Sequence, residues 1–177
     1  MTTAQIRIER TGDIGAIGAV VEAAFGSPAE ARLVEAIRSS ELYIPELALV
    51  AELDGAIVGH VMISFATLVN DESAQLLHML SPLAVAPSRQ RRGIGAALVR
   101  EVTTRADDAG APLVILEGSP SFYGRLGFEP ADPLGIHITL PSWAPPEAAQ
   151  VLRLRRYDSA LRGRVVYPKA FDDVTEH

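Results

Sequence analysis

Residues 80–98 read LSPLAVAPSRQRRGIGAAL, and this stretch decides the fold. Leu83-Ala84-Val85 has the apolar density of a buried strand. Gln90-Arg91-Arg92-Gly93-Ile94-Gly95 is polar and carries two glycines. Ile94, Ala97, Leu98 and Val102 then continue at helical spacing until Gly110. A strand, a glycine-bearing loop and a helix in that order set the unpaired first N–H groups of the helix beside a backbone that a ligand can approach closely. Those donors, with the positive end of the helix dipole, suit a pyrophosphate. Arg89, Arg91 and Arg92 add guanidinium forks that match phosphate oxygens. Solvated loop charges ahead of an ordinary helix would look the same, so a Gly-x-Gly by itself is weak evidence.

Two rival phosphate loops fit less well. A dinucleotide fingerprint wants a third Gly or Ala where this chain has Leu98, although Glu117, ending the next strand, partly meets its need for a later acid. A P-loop needs Gly-Lys-Ser/Thr, which occurs nowhere in the sequence. Pro82 stands inside the long apolar run from Ala74 to Val85. Proline cannot donate to a sheet ladder, so it marks a bulge, a break or an edge strand. A break there would separate neighbouring strands and leave backbone groups for a ligand.

Working outward, Ile6-Arg7-Ile8 alternates like a short strand. Thr11 is placed to cap a helix carrying Ile14, Ile17, Val20, Val21 and Phe25, which Gly26-Ser27-Pro28 breaks. A second helix is expected from Ala29 to Ile37. Strands are expected at Leu47–Leu53 and Val58–Phe65, joined by Asp54-Gly55, a strong hairpin turn. Downstream, Pro112–Leu116 reads as a buried strand, Gly118–Pro130 as turn-rich, and the proline-bearing segment 131–148 as loop. Val151, Leu152 and Leu154 open the last strand, with Val165-Val166-Tyr167 as its expected partner. The order predicts one α/β (α+β) domain over residues 1–177 with a mixed sheet.

Composition bounds the function. The 177-residue chain has no cysteine, which excludes disulfides and a cysteine nucleophile. A net charge of −6 argues against nucleic acid as partner. No run approaches the roughly 20 apolar residues of a membrane helix, and no signal peptide is evident, so a cytoplasmic protein is expected.

Joined together, three motifs resemble the GCN5-related N-acetyltransferases (GNAT superfamily). They are Leu83-Ala84-Val85-Ala86-Pro87, Gln90-x-x-Gly93-x-Gly95-x-x-Leu98 and Phe122-Tyr123-x-x-Leu126-Gly127-Phe128. The tail, Glu129-Pro130-Ala131, Gly135-Ile136 and Tyr167-Pro168-x-Ala170-Phe171, is similar to the bacterial YhbS-like subgroup. The resemblance covers about residues 4–171. It implies a mostly antiparallel sheet splayed between its fourth and fifth strands, acetyl-CoA as donor, no metal, and direct attack by a primary amine on a small molecule or peptide. It implies that Leu83, Ala84 and Val85 offer backbone groups to the pantetheine arm. Gln90, Arg91, Arg92, Gly93, Ile94, Gly95 and Ala96 would surround the pyrophosphate, and Ser119 and Phe122 would also touch the cofactor. It also implies Tyr123 as the general acid and the Leu83 N–H as oxyanion donor.

Where many relatives carry an asparagine, this chain reads Gly118-Ser119-Pro120-Ser121, and Ser119 would replace some of that contact. Arg125 could reach a phosphate or stay solvated. The base is open among His78, Glu117, Glu22, Glu52 and His60. Helices 1 and 2 and the 131–148 loop are expected to wall the acceptor site, and Trp143 either lines that site or packs. A strand after residue 150 could pair two subunits into a homodimer. A catalytically silent CoA-binding module and a nucleotide-dependent oxidoreductase are the competing readings.

Overall fold

The computed structural model describes residues 2–175. The strands are β1 (Gln5–Ile8), β2 (Ala48–Leu53), β3 (Ala56–Val69), β4 (Ala74–Val85), β5 (Leu113–Glu117), β6 (Glu129–Pro130), β7 (Ile136–His137), β8 (Ala149–Arg153) and β9 (Gly163–Val166). The helices are α1 (Ile14–Phe25), α2 (Ala29–Arg38), α3 (Ile94–Asp108), α4 (Pro120–Gly124) and α5 (Asp172–Thr175). The strands form one sheet in the order β1-β2-β3-β4-β5-β8-β6, with β9 beside the far end of β3 and β7 beside β9. Pairing is antiparallel except at β4–β5 and in the short β7–β9 contact.

Asp54 (φ 51°) and Gly55 (φ 80°) make the expected tight turn between β2 and β3. Alternation along the strands divides the core. One face, with Ala48, Val50, Met62, Leu77, Met79, Leu113 and Ile115, lies under Ile17, Val20 and Val21 of α1 and Leu33, Val34 and Ile37 of α2. The other, with Leu49, Val61, Leu80, Val114 and Leu116, lies under Leu98, Val99, Val102 and Ala106 of α3 and Tyr123 of α4. Among the described residues no helix is long and apolar enough to cross a membrane.

Three local expectations change. Thr11 does not cap α1. It opens a 3-10 turn, and the Asp13 carboxylate accepts the Arg10 N–H at 2.7 Å instead. β8 does not pair with residues 165–167. It lies between β5, which pairs with it from Ala149 to Arg153, and β6, which pairs only with Gln150 and Val151. Val165 and Val166 pair instead with Leu68 and Thr67, because β3 runs four residues beyond Phe65 and offers them an edge.

A polar cluster is buried among Glu9, Arg38, Tyr43 and His60, under the α1–α2 face. Arg38 donates twice to Glu9, each at 2.9 Å, and the Tyr43 hydroxyl donates to it at 2.7 Å. Burial works against the Glu9 charge, but these bonds outweigh it and hold the carboxyl below its usual range. His60 is wholly buried with its Nδ1 3.7 Å from Glu9, and burial pushes its pKa down to about 4. The unfolded chain therefore binds a proton at position 60 that the native state refuses. Stability is full above about pH 6.5 and falls by on the order of 3 kcal/mol from this residue as pH drops to 4. Urea denaturation of wild type across that range should show this slope, and His60→Leu should flatten it. An unchanged slope in the variant would contradict the assignment.

Candidate active site

β4 and β5 pair only at His78↔Val114 and Met79↔Ile115 and then diverge. The register of β4 against β3 slips at the same level. From Val61↔Leu83 to Ile63↔Leu80, β3 advances two residues and β4 three, so the extra residue is a bulge at Ser81-Pro82. The gap therefore opens where the proline stands.

Which backbone groups face the gap follows from the antiparallel alternation. Ala86 N–H donates to the Val58 carbonyl at 2.8 Å, which makes Val58–Ala86 and His60–Ala84 the hydrogen-bonded pairs. Leu83 and Val85, in the alternate pairs, turn their N–H and C=O groups away from β3 toward the gap. Ala84 turns its groups to His60 instead. The Val85 carbonyl accepts the Gln90 side-chain amide at 3.0 Å, a bond that folds the loop back onto the strand end.

Arg91 (φ 62°) and Gly93 (φ 83°) both adopt left-handed backbone, turning the chain sharply into α3. The first helical hydrogen bond runs from Ala97 N–H to the Gly93 carbonyl at 3.0 Å, so the amides of Ile94, Gly95 and Ala96 have no partner within the helix. Leu83, Val85, Gln90, Arg91, Gly93, Ile94, Gly95, Ala96, Ser119, Phe122 and Tyr123 line one cavity of about 370 Å³, together with Arg89. Ala84 is buried outside it, and Arg92 turns toward a second hollow beside Asp54 and the N-terminal residues. Arg125 is exposed and lines neither.

Tyr123 is held by edge-on contacts with Phe122 and Phe128, with ring centroids 4.8 and 5.5 Å away. Burial pushes its phenol up to about 12, so it carries its proton throughout the physiological range. Gly118 backs the ring: a Cβ there would stand 2.4 Å from the Tyr123 Cε2 atom. In the sequence Gly118 is a glycine after a strand, with no sign that it seats a tyrosine five residues on.

The five candidate bases separate. Glu52 pairs with Arg7, which also holds Asp13. Glu22 is exposed on α1. His60 belongs to the buried cluster described above. His78 packs edge-on against Phe65, and burial lowers its pKa. Glu117 ends β5 at the mouth of the gap. It lines a small cavity of about 130 Å³ with Leu80 and Ser81, and a larger one of about 540 Å³ with Ser119 and Trp143. Its surroundings raise its carboxyl pKa through desolvation, against a hydrogen bond from the Tyr167 hydroxyl at 2.5 Å. The larger cavity is walled by the 139–148 segment and Val174, not by α1 and α2, and Trp143 is 77% exposed rather than packed.

The acetyltransferase (GNAT) domain family matches residues 5–131. Over 161 residues the chain is 36% identical to YhbS of Escherichia coli strain K12, an uncharacterized N-acetyltransferase, spanning 89% of this chain and 90% of that one. It is also 36% identical over 118 residues to YjhQ of the same strain, another uncharacterized N-acetyltransferase, spanning 67% of this chain and 65% of that one. Among solved structures, the E. coli GNAT family N-acetyltransferase YhbS in complex with CoA superimposes with a TM-score of 0.86 at 30% identity, over 97% of this chain and 93% of that one. A GNAT family acetyltransferase from Brucella melitensis in complex with acetyl-CoA gives 0.77 at 30% identity, over 96% and 98%. The chain belongs to the GNAT family and is an acetyltransferase.

Because the Tyr123 ring occupies the space a side chain at 118 would need, Gly118→Ala must displace it. Stability should fall by about 1–3 kcal/mol, as for other overpacked sites, and acetyl transfer should fall with it. Ser119→Ala, at an exposed position, should stay within about 0.5 kcal/mol of wild type. Denaturation of the two variants side by side checks this; equal stability would remove the role given to Gly118.

Proposed function

We propose that the protein moves the acetyl group of acetyl-CoA to a primary amine by direct attack in a ternary complex. The observation that carries this reading is the gap between β4 and β5, which has Leu83 and Val85 backbone groups on one side and the amide-rich start of α3 at its end. The pantetheine arm would pair with Leu83 and Val85 as an added strand, and the amides of Ile94, Gly95 and Ala96 would take the pyrophosphate. Arg89 and Arg91 would add charge to that end of the cavity.

The acceptor arrives as an ammonium with a pKa near ~10, and a proton must leave before nitrogen can attack. Glu117 is placed to take it, directly or through a water, since desolvation has raised its affinity for a proton. The nitrogen lone pair then forms a bond to the thioester carbon, and the carbonyl oxygen becomes an oxyanion that the Leu83 N–H stabilises. As the intermediate collapses, the C–S bond breaks and its electron pair leaves on sulfur. The Tyr123 hydroxyl donates to that sulfur, and the second proton lost by nitrogen is the one that finally rests on the thiol.

A phenol near 12 is a weaker acid than a free thiol near ~8.5, so full transfer in water would run uphill. The burial that raises the phenol also raises the thiolate, which narrows that difference. Tyr123 thus acts mainly by hydrogen bonding in the transition state, for which a benefit of roughly 10²-fold is the usual scale.

Acetyl-CoA should raise the melting temperature of the protein by mass action, and NAD and NADP should not. Tyr123→Phe should lower kcat by about 10²-fold while keeping the acetyl-CoA shift, and an unchanged kcat would end the assignment. Glu117→Gln should lower kcat/KM by a similar factor and remove the acid limb of its pH profile, which in wild type lies above the ordinary carboxylate range because the Glu117 pKa is raised. A limb that survives in the variant would move the base elsewhere.

A further inference from the structure

Resting on the transfer proposed above, we infer that the acceptor is a small monoamine on an apolar, ring-sized body, seated between the 139–148 segment and α5 with its nitrogen toward Glu117. The cavity there, about 540 Å³, is of the size that encloses small molecules. Its walls are Pro120, Leu140, Pro141, Trp143, Pro145 and Val174 among others, and Glu117 is the one ionisable side chain that lines it among the described residues. One carboxylate on a mostly apolar wall matches one ammonium on an apolar body. A polyamine or an amino sugar would bring several further ammonium or hydroxyl groups against a wall whose only other polar side chains, among the described residues, are the neutral hydroxyls of Ser119 and Thr139, and polar groups set against apolar surface without partners are costly.

The cavity also meets the donor site on both sides. Ser119 lines it and the 370 Å³ cavity beside Leu83 and Tyr123. Glu117 lines it and the small cavity that reaches Leu80 and Ser81 at the bulge. An amine resting on Glu117 therefore stands at the opening of the β4–β5 gap, while its body extends away along Trp143. Tyr167 is the positioning residue: its hydroxyl fixes one carboxylate oxygen at 2.5 Å and leaves the other for the amine. Trp143 gives up most of its burial to stand on this wall, being 77% exposed, the largest exposure among the large hydrophobic side chains of the described residues.

Trp143 is the only tryptophan in the chain, so its emission reports directly on this cavity without need of turnover. The full-length protein is titrated with phenethylamine, spermidine and a tripeptide with an N-terminal phenylalanine, with and without CoA, and the same three are offered as acceptors with thiol release as readout. Phenethylamine should change Trp143 emission and be acetylated with a kcat/KM at least about tenfold above the other two. Trp143→Ala should raise its KM by about tenfold or more, with a much smaller effect on kcat. Preference for spermidine or the tripeptide, or acetylation of phenethylamine with Trp143 emission unmoved, would overturn the inference. The thermal shift with acetyl-CoA separates the two proposals. If the shift is present and the phenethylamine results fail, only the acceptor class is wrong; if the shift is absent, the transfer itself is wrong, whatever Trp143 reports.

Discussion

The site depends on one constraint: β4 cannot stay paired with β5 along its length. Pro82 has no N–H to give a ladder, and the Ser81-Pro82 bulge changes the pleat of β4 just beyond the last β4–β5 pair at Met79↔Ile115. Parallel strands that stay paired satisfy in each other the backbone groups that face between them. Here the pairing stops, and the alternation that commits Ala84 to His60 turns Leu83 and Val85 the other way. The gap is thus lined by backbone dipoles fixed by the rest of the sheet, and such dipoles need no reorganisation when charge develops beside them.

The divergence also sorts side chains by face. Along β5, Leu113, Ile115 and Glu117 share one face, and Val114 and Leu116 the other. The phenol of Tyr123 packs with the Val114–Leu116 face, under α3, and the carboxylate of Glu117, on the opposite face by alternation, stands beside segment 139–148, Tyr167 and Val174. A continuous sheet would keep these two groups apart. A sheet that opens between them lets a molecule threaded through the gap meet both, one from each side. The reaction proposed for this chain uses that separation, because the base that receives the acceptor's proton and the hydroxyl that serves the departing sulfur then reach the thioester carbon from opposite sides.

The donor side was legible in the sequence because it is built from backbone. Gly93, the Asp54-Gly55 turn and Pro82 each answer a local demand on φ or on a missing N–H, and a local demand leaves a local signature. The strand partners were less legible. Val151 and Val165 are both short apolar β-formers, and nothing local says that one joins β5 and the other the end of β3; that choice follows from how far β3 extends and from the path of the 154–162 segment. The base proposed for the reaction was illegible for a related reason. Glu52 and Glu117 both lie at or next to the end of a strand, but Arg7 pairs with the first and a mostly apolar rim surrounds the second, and both neighbourhoods are assembled from distant stretches of the chain. Gly118 was hidden too, since what it accommodates is a ring packed on it rather than a bend of its own backbone.

Segment 131–148 has little regular structure and reads as loop in the sequence, yet it supplies most of the wall beside Glu117. Its prolines account for this. Pro141, Pro145 and Pro146 each fix a φ angle, so the chain gives up less conformational entropy in holding one shape than a Gly/Ser-rich loop of the same length would. The turn bonds from Ala144 N–H to the Pro141 carbonyl and from Ala148 N–H to the Pro145 carbonyl, at 3.0 and 2.9 Å, close the segment on itself and lead directly into β8. Because β8 is held on both sides by β5 and β6, the end of the wall is anchored to the strand that presents Glu117, and the two cannot drift apart independently. A loop built this way can carry an exposed tryptophan in a fixed place, and relatives that share the splayed sheet can differ in acceptor by changing this one segment without disturbing the donor site.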